Sequence, residues 1–385
     1  MSERQESADR KVTFAEVLGV AEFRAVFAAA MLAEVGDFMS KAAVTAMVFF
    51  VTDSVALSAA AFAVSYAPWI VGGPVLTALA ERLPYRAVMV AADALRAVII
   101  ATVVVVALTL LPSTTTAADG EVPPAIWLII FLLFLQALVA PAALAARSAI
   151  MPLILEGDRV TLGIATTQTG RQAAQVAGYM SGALIAVIDP AVALTINAAI
   201  YMVTALIVRF GVRHRAPALR AEHRSHLLRE TAEGFRVVFG TPTLRAIAIV
   251  VFASMLFSIV PEGLAIGWAQ DLAGNDPDRR GLYQGLIMIA QPVGQAIAAL
   301  LVVRLLRPTI RSRLVRYLIV AAPLALVPAV FEPGIAVVVA ITMISGMVIA
   351  SMLATLNGIF VQILQHGYRA RAFGVMNSGM QVLQG

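Results

Sequence analysis

The stretch RAVFAAAMLAEVGDFMSKAAVTAMVFFV, residues 24–51, is long and apolar enough to cross a lipid bilayer as one helix. A membrane-spanning helix needs about 20 mostly apolar residues in a row. The stretch nevertheless contains Glu34, Asp37 and Lys41. Because an ionisable side chain at mid-membrane costs about 2.5–3.5 kcal/mol on insertion scales, such a residue usually faces a partner, a cavity or a pathway. The stretch therefore predicts a membrane protein whose first helix carries a polar stripe.

The rest of the chain repeats this pattern of long apolar segments separated by turns. Its 385 residues are 60% hydrophobic and 13% charged, whereas a soluble domain is about 45–50% apolar and about 25% charged. Helices are the predicted spanning form, because the segments are too long and too apolar for the strands of a membrane barrel. We predict ten complete spans, near 24–51, 56–80, 86–111, 125–150, 161–188, 190–210, 244–270, 282–305, 315–331 and 334–364.

Lysine and arginine fall almost entirely on one side of these spans. With the N-terminus in the cytoplasm, 23 of the 28 basic residues lie inside, and Arg279 and Arg280 lie outside. Since cytoplasmic loops carry the excess of positive charge, this asymmetry predicts a multi-pass protein of the plasma (cytoplasmic) membrane with a cytoplasmic N-terminus. The same placement explains the formal net charge of +5, so the charge indicates no nucleic-acid partner.

We divide the chain into three regions. Residues 1–211 are predicted to form a first transmembrane bundle of six spans, and residues 244–385 a second bundle with spans seven to ten and part of an eleventh. The polar segment 212–243 is rich in arginine, and its apolar residues recur at helical spacing. This spacing predicts a cytoplasmic linker with an amphipathic helix, either on the membrane surface or as a solvated connection between the bundles.

A motif after the second span resembles a known family. TALAERLPYR, residues 77–86, resembles the loop signature Gly-x-Leu-Ala-Asp-Arg-x-Gly-Arg-Arg of the major facilitator superfamily. Glu81 replaces the aspartate, Arg82 and Arg86 are retained, and both glycines are replaced. The following DALRA, with Asp93 and Arg96, is similar to the Asp-x-x-Arg of many drug exporters in that superfamily.

The resemblance extends over the whole chain and implies its fold. Segments such as PEGLAIGWA (261–269) and RARAFGVMNSGMQVLQG (369–385) resemble the macrolide-efflux and enterobactin-exporter branch. The implied fold is an all-α polytopic membrane protein of two pseudo-symmetric six-helix bundles, the second incomplete at the C-terminus. Because the superfamily usually has twelve spans, we expect a truncated sequence, with genuine absence of span twelve as the alternative. The antiporter motif Gly-Pro-x-x-Gly-Gly is only partly present, since AGYMSGALI has Gly178 and Gly182 without the proline.

The resemblance also implies a cytoplasmic gate. In this superfamily, charges at the cytoplasmic ends of spans two to four latch the two halves together in the outward-open state. The expected members of this gating network are Glu81, Arg82, Arg86, Asp93, Arg96 and Arg147.

Glu34 and Asp37 are the predicted proton-coupling residues. Glu34 and Lys41 are seven residues apart, nearly two turns, and share a helix face, with Asp37 about 60° from Glu34. The residues alone leave two readings, a self-neutralising group that holds the helix in the bundle or a carboxylate that takes and releases a proton. Carboxylates at this place resemble proton-coupling sites of drug/proton antiporters. Arg171 in span five is the expected partner of Glu34 or Asp37, and Lys41 is expected to bias their charge state; snorkelling of Arg171 to the surface is the alternative.

Five more polar residues inside the spans are predicted to line a substrate cavity. Each has an alternative structural role, because polar side chains also hydrogen-bond between neighbouring helices. For Glu262 we also expect that the adjacent Pro261 and Gly263 break the helix. The predicted cavity residues are Gln175, Asn197, Glu262, Gln291 and Asn357.

The leading functional prediction is a monomeric secondary active transporter that works by alternating access. It is expected to export a hydrophobic or amphiphilic small molecule across the lipid bilayer in exchange for protons. Uptake or facilitated diffusion of a small solute, or a non-transporting membrane sensor, are the alternatives. An enzyme is disfavoured, because motifs such as His-Glu-x-x-His and Gly-x-Ser-x-Gly are absent. The chain has no cysteine, which excludes thiolate metal sites, and we predict no cofactor and no metal.

Overall fold

The computed structural model describes the chain in segments: residues 13–67, 83–111, 122–215, 227–274, 276–305, 314, 317–321, 324–331, 333–363, 372, 375–376 and 379–380. Within these segments the regular structure is helical throughout. In chain order the helices are α1 (Phe14–Gly19), α2 (Ala21–Thr52), α3 (Val55–Val64), α4 (Tyr85–Leu110), α5 (Pro124–Ile154), α6 (Asp158–Ile188), α7 (Pro190–Gly211), α8 (Leu227–Gly240), α9 (Pro242–Ala273), α10 (Pro277–Leu305) and α11 (Ile335–Ile363), with a short 3-10 helix at Val327–Phe331.

The turns fall where helix-breaking residues stand in the sequence. α6 ends at Ile188 and α7 begins at Pro190, so the IDP tripeptide separates two long helices. Asp189 caps α7 by accepting a hydrogen bond from the Ala191 backbone nitrogen at 2.7 Å. Proline suits the first position of a helix because its missing N–H would be unsatisfied there in any case. This predicted boundary is confirmed.

Six of the described helices are long and apolar enough to cross a membrane: α2, α4, α5, α7, α9 and the Ile335–Asn357 part of α11. The predicted spans at these places are therefore confirmed to within a few residues. α6 and α10 have 31 and 29 residues and are also long enough, but they are less apolar. In α6 the cause is visible in the sequence TTQTGRQAAQ, which carries amides and a charge along a largely exposed stretch of the helix.

The first half of the molecule is built around α2. This helix packs along α6 and α7, while α4 packs against α5 and α7. Close approach of α2 and α6 needs glycine, because a Cβ on Gly178 would lie 2.6 Å from the Val35 carbonyl oxygen, and Gly182 faces Met39 in the same way. Gly178 and Gly182, four residues apart, thus allow the two helices to pack closely.

The two halves meet at one end of the helices, the side at which α2 ends at Thr52, which we call the Thr52 side. Gln284 of α10 donates to the Ala42 carbonyl at 3.2 Å, and the Arg280 guanidinium lies 4.3 Å from the centre of the Phe50 ring. Gly267 of α9 packs on Val55 at the start of α3. Within the described chain, the side-chain contacts between the halves cluster on this side.

Several predicted features can be checked only in part. α8 matches the amphipathic helix that the linker segment 212–243 predicts, and it packs against α9. Glu81 and Arg82 lie outside the described residues, as does most of the predicted eleventh span. Segment 315–331 is described in pieces that include the 3-10 helix. The expected break at Pro261 is not found, because α9 continues through Pro261 to Ala273.

Candidate functional site

The predicted charged residues of the first half form separate ion pairs rather than one stripe. Glu34 of α2 bonds to Arg171 of α6, whose Nε and Nη2 donate to Glu34 Oε1 at 3.1 and 3.0 Å. The exposed fractions are 17% for the Glu34 side chain and 31% for the Arg171 side chain. The pair is therefore partly exposed. The structure places Arg171 beside Glu34, one of the two expected partners, rather than at the membrane surface.

Asp37 accepts hydrogen bonds from side chains on three other helices. Its carboxylate forms an ion pair with Arg96 of α4 and accepts from the Tyr201 hydroxyl of α7 at 2.6 Å and from Gln136 of α5 at 3.3 Å. Gln136 also donates to the Tyr201 hydroxyl at 2.8 Å, and the Arg96 guanidinium lies 4.3 Å from the centre of the Tyr201 ring. One carboxylate thus joins α2 to α4, α5 and α7.

Arg96 is located differently from the sequence prediction. It was expected in the cytoplasmic gate, but its side chain is only 2% exposed and is paired with Asp37. The physical reason is helix rise: eleven residues separate Tyr85, where α4 begins, from Arg96, which corresponds to about 16 Å along the axis. This depth puts Arg96 in the centre of the bundle and away from its end.

The remaining gate residues in the described chain bond within the first half. Arg147 of α5 donates from Nη2 to both carboxylate oxygens of Asp93, at 3.0 and 2.7 Å, and Asp93 is fully buried. Arg86 donates to the carbonyl of Arg209 in the last turn of α7. A basic side chain at this place satisfies a carbonyl that the helix leaves open. The predicted latch to the second half is not formed by these bonds in this conformation.

Lys41 is surrounded by aromatic rings. Its ammonium nitrogen lies 3.9 Å from the ring centre of Tyr66, 4.6 Å from that of Phe38 and 6.0 Å from that of Phe62. Among the described residues its ammonium has no ion pair, and it does not bond to Glu34 or Asp37. Lys41 therefore does not form a self-neutralising group with the two carboxylates, which was one of the two readings of the sequence, because each carboxylate is engaged by an arginine from another helix.

Glu262 connects the two halves. It lies on α9, is 8% exposed, and accepts a hydrogen bond of 2.6 Å from the hydroxyl of the fully buried Tyr179 on α6. Tyr66 belongs to the same buried cluster as Tyr179. The sequence prediction placed Glu262 in the cavity but found neither tyrosine, because a tyrosine in an apolar helix gives no pattern that distinguishes it from a packing residue.

The predicted cavity amides differ in their surroundings. Asn197 is fully buried against Gly36, and in the described chain its amide group has no hydrogen-bond partner. Gln291 is 1% exposed and donates to the Ser258 hydroxyl. Gln175 and Asn357 are partly exposed. The structure thus packs Asn197 and Gln291 between helices and leaves Gln175 and Asn357 at more open positions.

Gln136 is a residue that the sequence prediction missed although a signal was present. It stands alone as a polar residue in the run WLIIFLLFLQALVA, residues 127–140. A single amide in such a run needs a partner, because hydrocarbon cannot satisfy it. Its partners, Asp37 and Tyr201, lie on helices whose proximity only the folded structure shows.

Comparison with known proteins places these features in a family. The sequence family described as Major Facilitator Superfamily matches residues 26–385. No curated protein matches the chain in sequence. The fold is similar to that of solved transporters that share little sequence with the chain.

Three of these solved structures illustrate the similarity. The crystal structure of a bacterial homolog to the human lysosomal transporter Spinster, in an inward-facing and unoccupied conformation, has a TM-score of 0.66 and 13% identity, and the match covers 94% of this chain and 80% of that chain. A mutant form of the nucleoside transporter NupG gives 0.65 and 14% identity over 93% and 88% of the two chains. A bacterial homologue of the iron transporter ferroportin, in the inward-facing state, gives 0.63 and 12% identity over 97% and 91%.

Proposed function

Because the chain belongs to the Major Facilitator Superfamily of membrane transporters, we infer that it is a secondary active transporter that works by alternating access. Its proposed activity is the export of a hydrophobic or amphiphilic small molecule in exchange for protons. We place it in the plasma membrane as a monomer with a cytoplasmic N-terminus, in line with the distribution of its basic residues.

The observation that supports proton coupling is the position of the two α2 carboxylates at helix junctions. Asp37 accepts bonds from α4, α5 and α7, and Glu34 accepts from α6. Protonation of either carboxylate removes the charge that holds an arginine and weakens these bonds. The protonation state of the two α2 carboxylates is thereby linked to the packing of the helices of the first half. We propose Glu34 and Asp37 as the residues that exchange protons.

The contacts between the halves support alternating access. They cluster on the Thr52 side, while Arg171 and the neighbouring part of α6 retain exposure on the opposite side. With the proposed orientation, this conformation is open to the cytoplasm. The gate residues Arg86, Asp93 and Arg147 are then expected to reach the second half only after the molecule changes to the outward-open state.

Facilitated diffusion or uptake without protons is the second candidate. Each α2 carboxylate already has an arginine partner. A carboxylate whose charge is balanced by an arginine need not bind a proton during the transport cycle. This candidate predicts transport that ignores a pH gradient. A non-transporting sensor predicts no movement of solute at all.

The test uses transport in proteoliposomes. A compound panel is first screened for changed susceptibility of cells that express the protein, and a compound that responds is then measured with and without a pH gradient. Glu34→Gln with Asp37→Asn should keep membrane abundance and substrate binding but lose the response to the gradient. Glu22→Gln is the matched control, because Glu22 is an ion-paired carboxylate on the same helix, bonded to Arg215 away from the centre. Full proton-driven transport by the double variant would exclude both carboxylates.

A further inference from the structure

Lys41 differs from Arg96, Arg147 and Arg171, the other deep cations of the first half. Lys11 and Lys41 are the only lysines in the chain, against 26 arginines. Arg96, Arg147 and Arg171 are each bonded to a carboxylate. The Lys41 ammonium instead faces three aromatic rings. Arginine is suited to fixed two-point pairing with a carboxylate, whereas the lysine ammonium is a compact cation on a flexible stem.

The rings around Lys41 form a box with walls from different helices. Phe38 comes from α2, Phe62 from α3, and Tyr66 lies just beyond the end of α3. Tyr179 of α6 packs edge-on against Phe38, with ring centres 4.8 Å apart. Phe62, Tyr66 and Tyr179 are buried, whereas Phe38 and Lys41 keep some exposure. The box is therefore preformed, and its open side is the one at which Lys41 enters.

Glu262 supplies the negative charge behind the box. Tyr179, whose ring packs against Phe38, donates to the Glu262 carboxylate at 2.6 Å. Glu262 and Lys41 also hold equivalent places in the two halves. Lys41 is the 21st residue of the 32-residue α2, and Glu262 is the 21st residue of the 32-residue α9. A cation and an anion thus stand at matching positions of the first spanning helix of each half.

We propose that this aromatic box is a binding site for the ammonium head of an organic cation, and that Lys41 occupies it as a tethered substitute when no ligand is bound. The proposal rests on the proposed transport function and names the substrate class: amphiphilic amines and quaternary ammonium compounds. Electron-rich ring faces attract a cation at the distances seen for Lys41, and aromatic boxes are a general solution for ammonium recognition.

The surroundings favour a cation over an anion. An anion entering to pair with Lys41 would meet the negative faces of three rings and the carboxylate of Glu262. A cation would meet the same groups favourably once Lys41 had moved. The Lys41 side chain can turn toward Glu34, because Glu34 lies seven residues earlier on the same helix face, about 10 Å along the axis. The lysine stem and the glutamate side chain together span most of that distance.

The experiment measures binding of benzyltrimethylammonium to the purified full-length chain in lipid nanodiscs. Neopentylbenzene, in which carbon replaces the charged nitrogen, is the neutral ligand of the same shape. If Lys41 leaves the box free in about a tenth of the molecules, Lys41→Met should bind the cation about tenfold more tightly than the wild type. Lys41→Arg keeps the tethered charge and should show no gain. Lys41→Gln serves as a second neutral variant should Lys41→Met fold poorly.

Two further variants test the walls and the counter-charge in the Lys41→Met background. Tyr66→Leu should lose about 5- to 30-fold in affinity for the cation, since it removes the closest ring, whereas Tyr66→Phe keeps that ring and should stay within about threefold. Glu262→Gln should lower the affinity for the cation and leave the affinity for neopentylbenzene unchanged. The proposal is overturned if Lys41→Met gains no affinity for the cation, or gains as much for neopentylbenzene, or if Tyr66→Leu has no effect.

Failure of this test is distinguishable from failure of the transport proposal. Binding is measured without a proton gradient, so its loss leaves proton coupling through Glu34 and Asp37 unaffected. Binding that behaves as expected in a protein that moves no solute would refute transport alone.

Discussion

The bond between Asp93 and Arg147 allows a quantitative test of how the first half is held together. Asp93 is fully buried and Arg147 is 11% exposed, and two hydrogen bonds of 2.7 and 3.0 Å join them. Removing one partner of a buried pair leaves an uncompensated charge and costs about 3–5 kcal/mol. An ordinary hydrogen bond between membrane helices contributes about 0.6 kcal/mol on average. The two cases differ enough to be resolved by experiment.

The expected values form a double-mutant cycle. Arg147→Met should lower the free energy of unfolding by about 3–5 kcal/mol, because it leaves the buried Asp93 carboxylate without the guanidinium that is paired with it. Asp93→Asn should cost less, about 1–3 kcal/mol, because asparagine still accepts a hydrogen bond and Arg147 keeps some access to water. Asp93→Leu with Arg147→Met should be close to neutral, since replacing a whole buried pair by apolar groups is often tolerated.

The measurement is unfolding in mixed micelles by SDS titration, followed by tryptophan fluorescence. Arg159→Met is the control, because Arg159 pairs with Glu16 at 3.6 Å with 47% of its side chain exposed, and such a surface pair contributes about 0–1 kcal/mol. A loss of only about 0.6 kcal/mol for Arg147→Met would refute the reasoning, because it would equal an ordinary interhelical bond. A double variant as unstable as Arg147→Met would refute it as well.

Three further predictions follow from the described residues. The chain has no cysteine, so His214→Cys and Asp271→Cys each introduce a single thiol, and a membrane-impermeant maleimide should label them from opposite sides; labelling from the same side would contradict the topology. Gly178→Leu should abolish folded protein in the membrane, because its Cβ alone would lie 2.6 Å from the Val35 carbonyl oxygen, whereas Gly19→Leu faces open space and should be tolerated. If Arg86 and Arg147 latch the outward-open state, Arg86→Ala and Arg147→Ala should each increase maleimide labelling of Gln172→Cys on the exposed part of α6, and unchanged labelling would argue for a purely structural role.

The spans could be predicted from sequence because they depend on local properties. Apolar length defines α2, α4 and α5, and proline and aspartate mark the turn between α6 and α7. The same local information placed Arg171 inside the fifth predicted span, where a charged side chain needs a carboxylate nearby. Glu34 and Asp37 were the two candidates, and the structure selects Glu34.

The partners of Asp37 could not be predicted in the same way. They come from three helices, and which faces of α4, α5 and α7 meet α2 depends on helix rotation and packing, which no single segment encodes. The misplacement of Arg96 has a different cause. A family motif suggested the gate, although the rise from Tyr85 already placed the residue about 16 Å deep. Depth along the helix located Arg96 better than the family motif did.

The distribution of the deep charges has a consequence for how the molecule moves. The pairs Glu34–Arg171, Asp37–Arg96 and Asp93–Arg147 all lie within the first half, so a rigid rotation of that half leaves them intact. Lys41 and Glu262 are the deep cation and anion of the described helices that lie on different halves, and rings rather than a direct bond separate them. A rotation that opens the Thr52 side must therefore change the environment of these two charges while the others keep their partners. A cation bound between them would experience that change directly, so its affinity would differ between the two states. Such a difference in affinity is what allows a ligand to shift a conformational equilibrium.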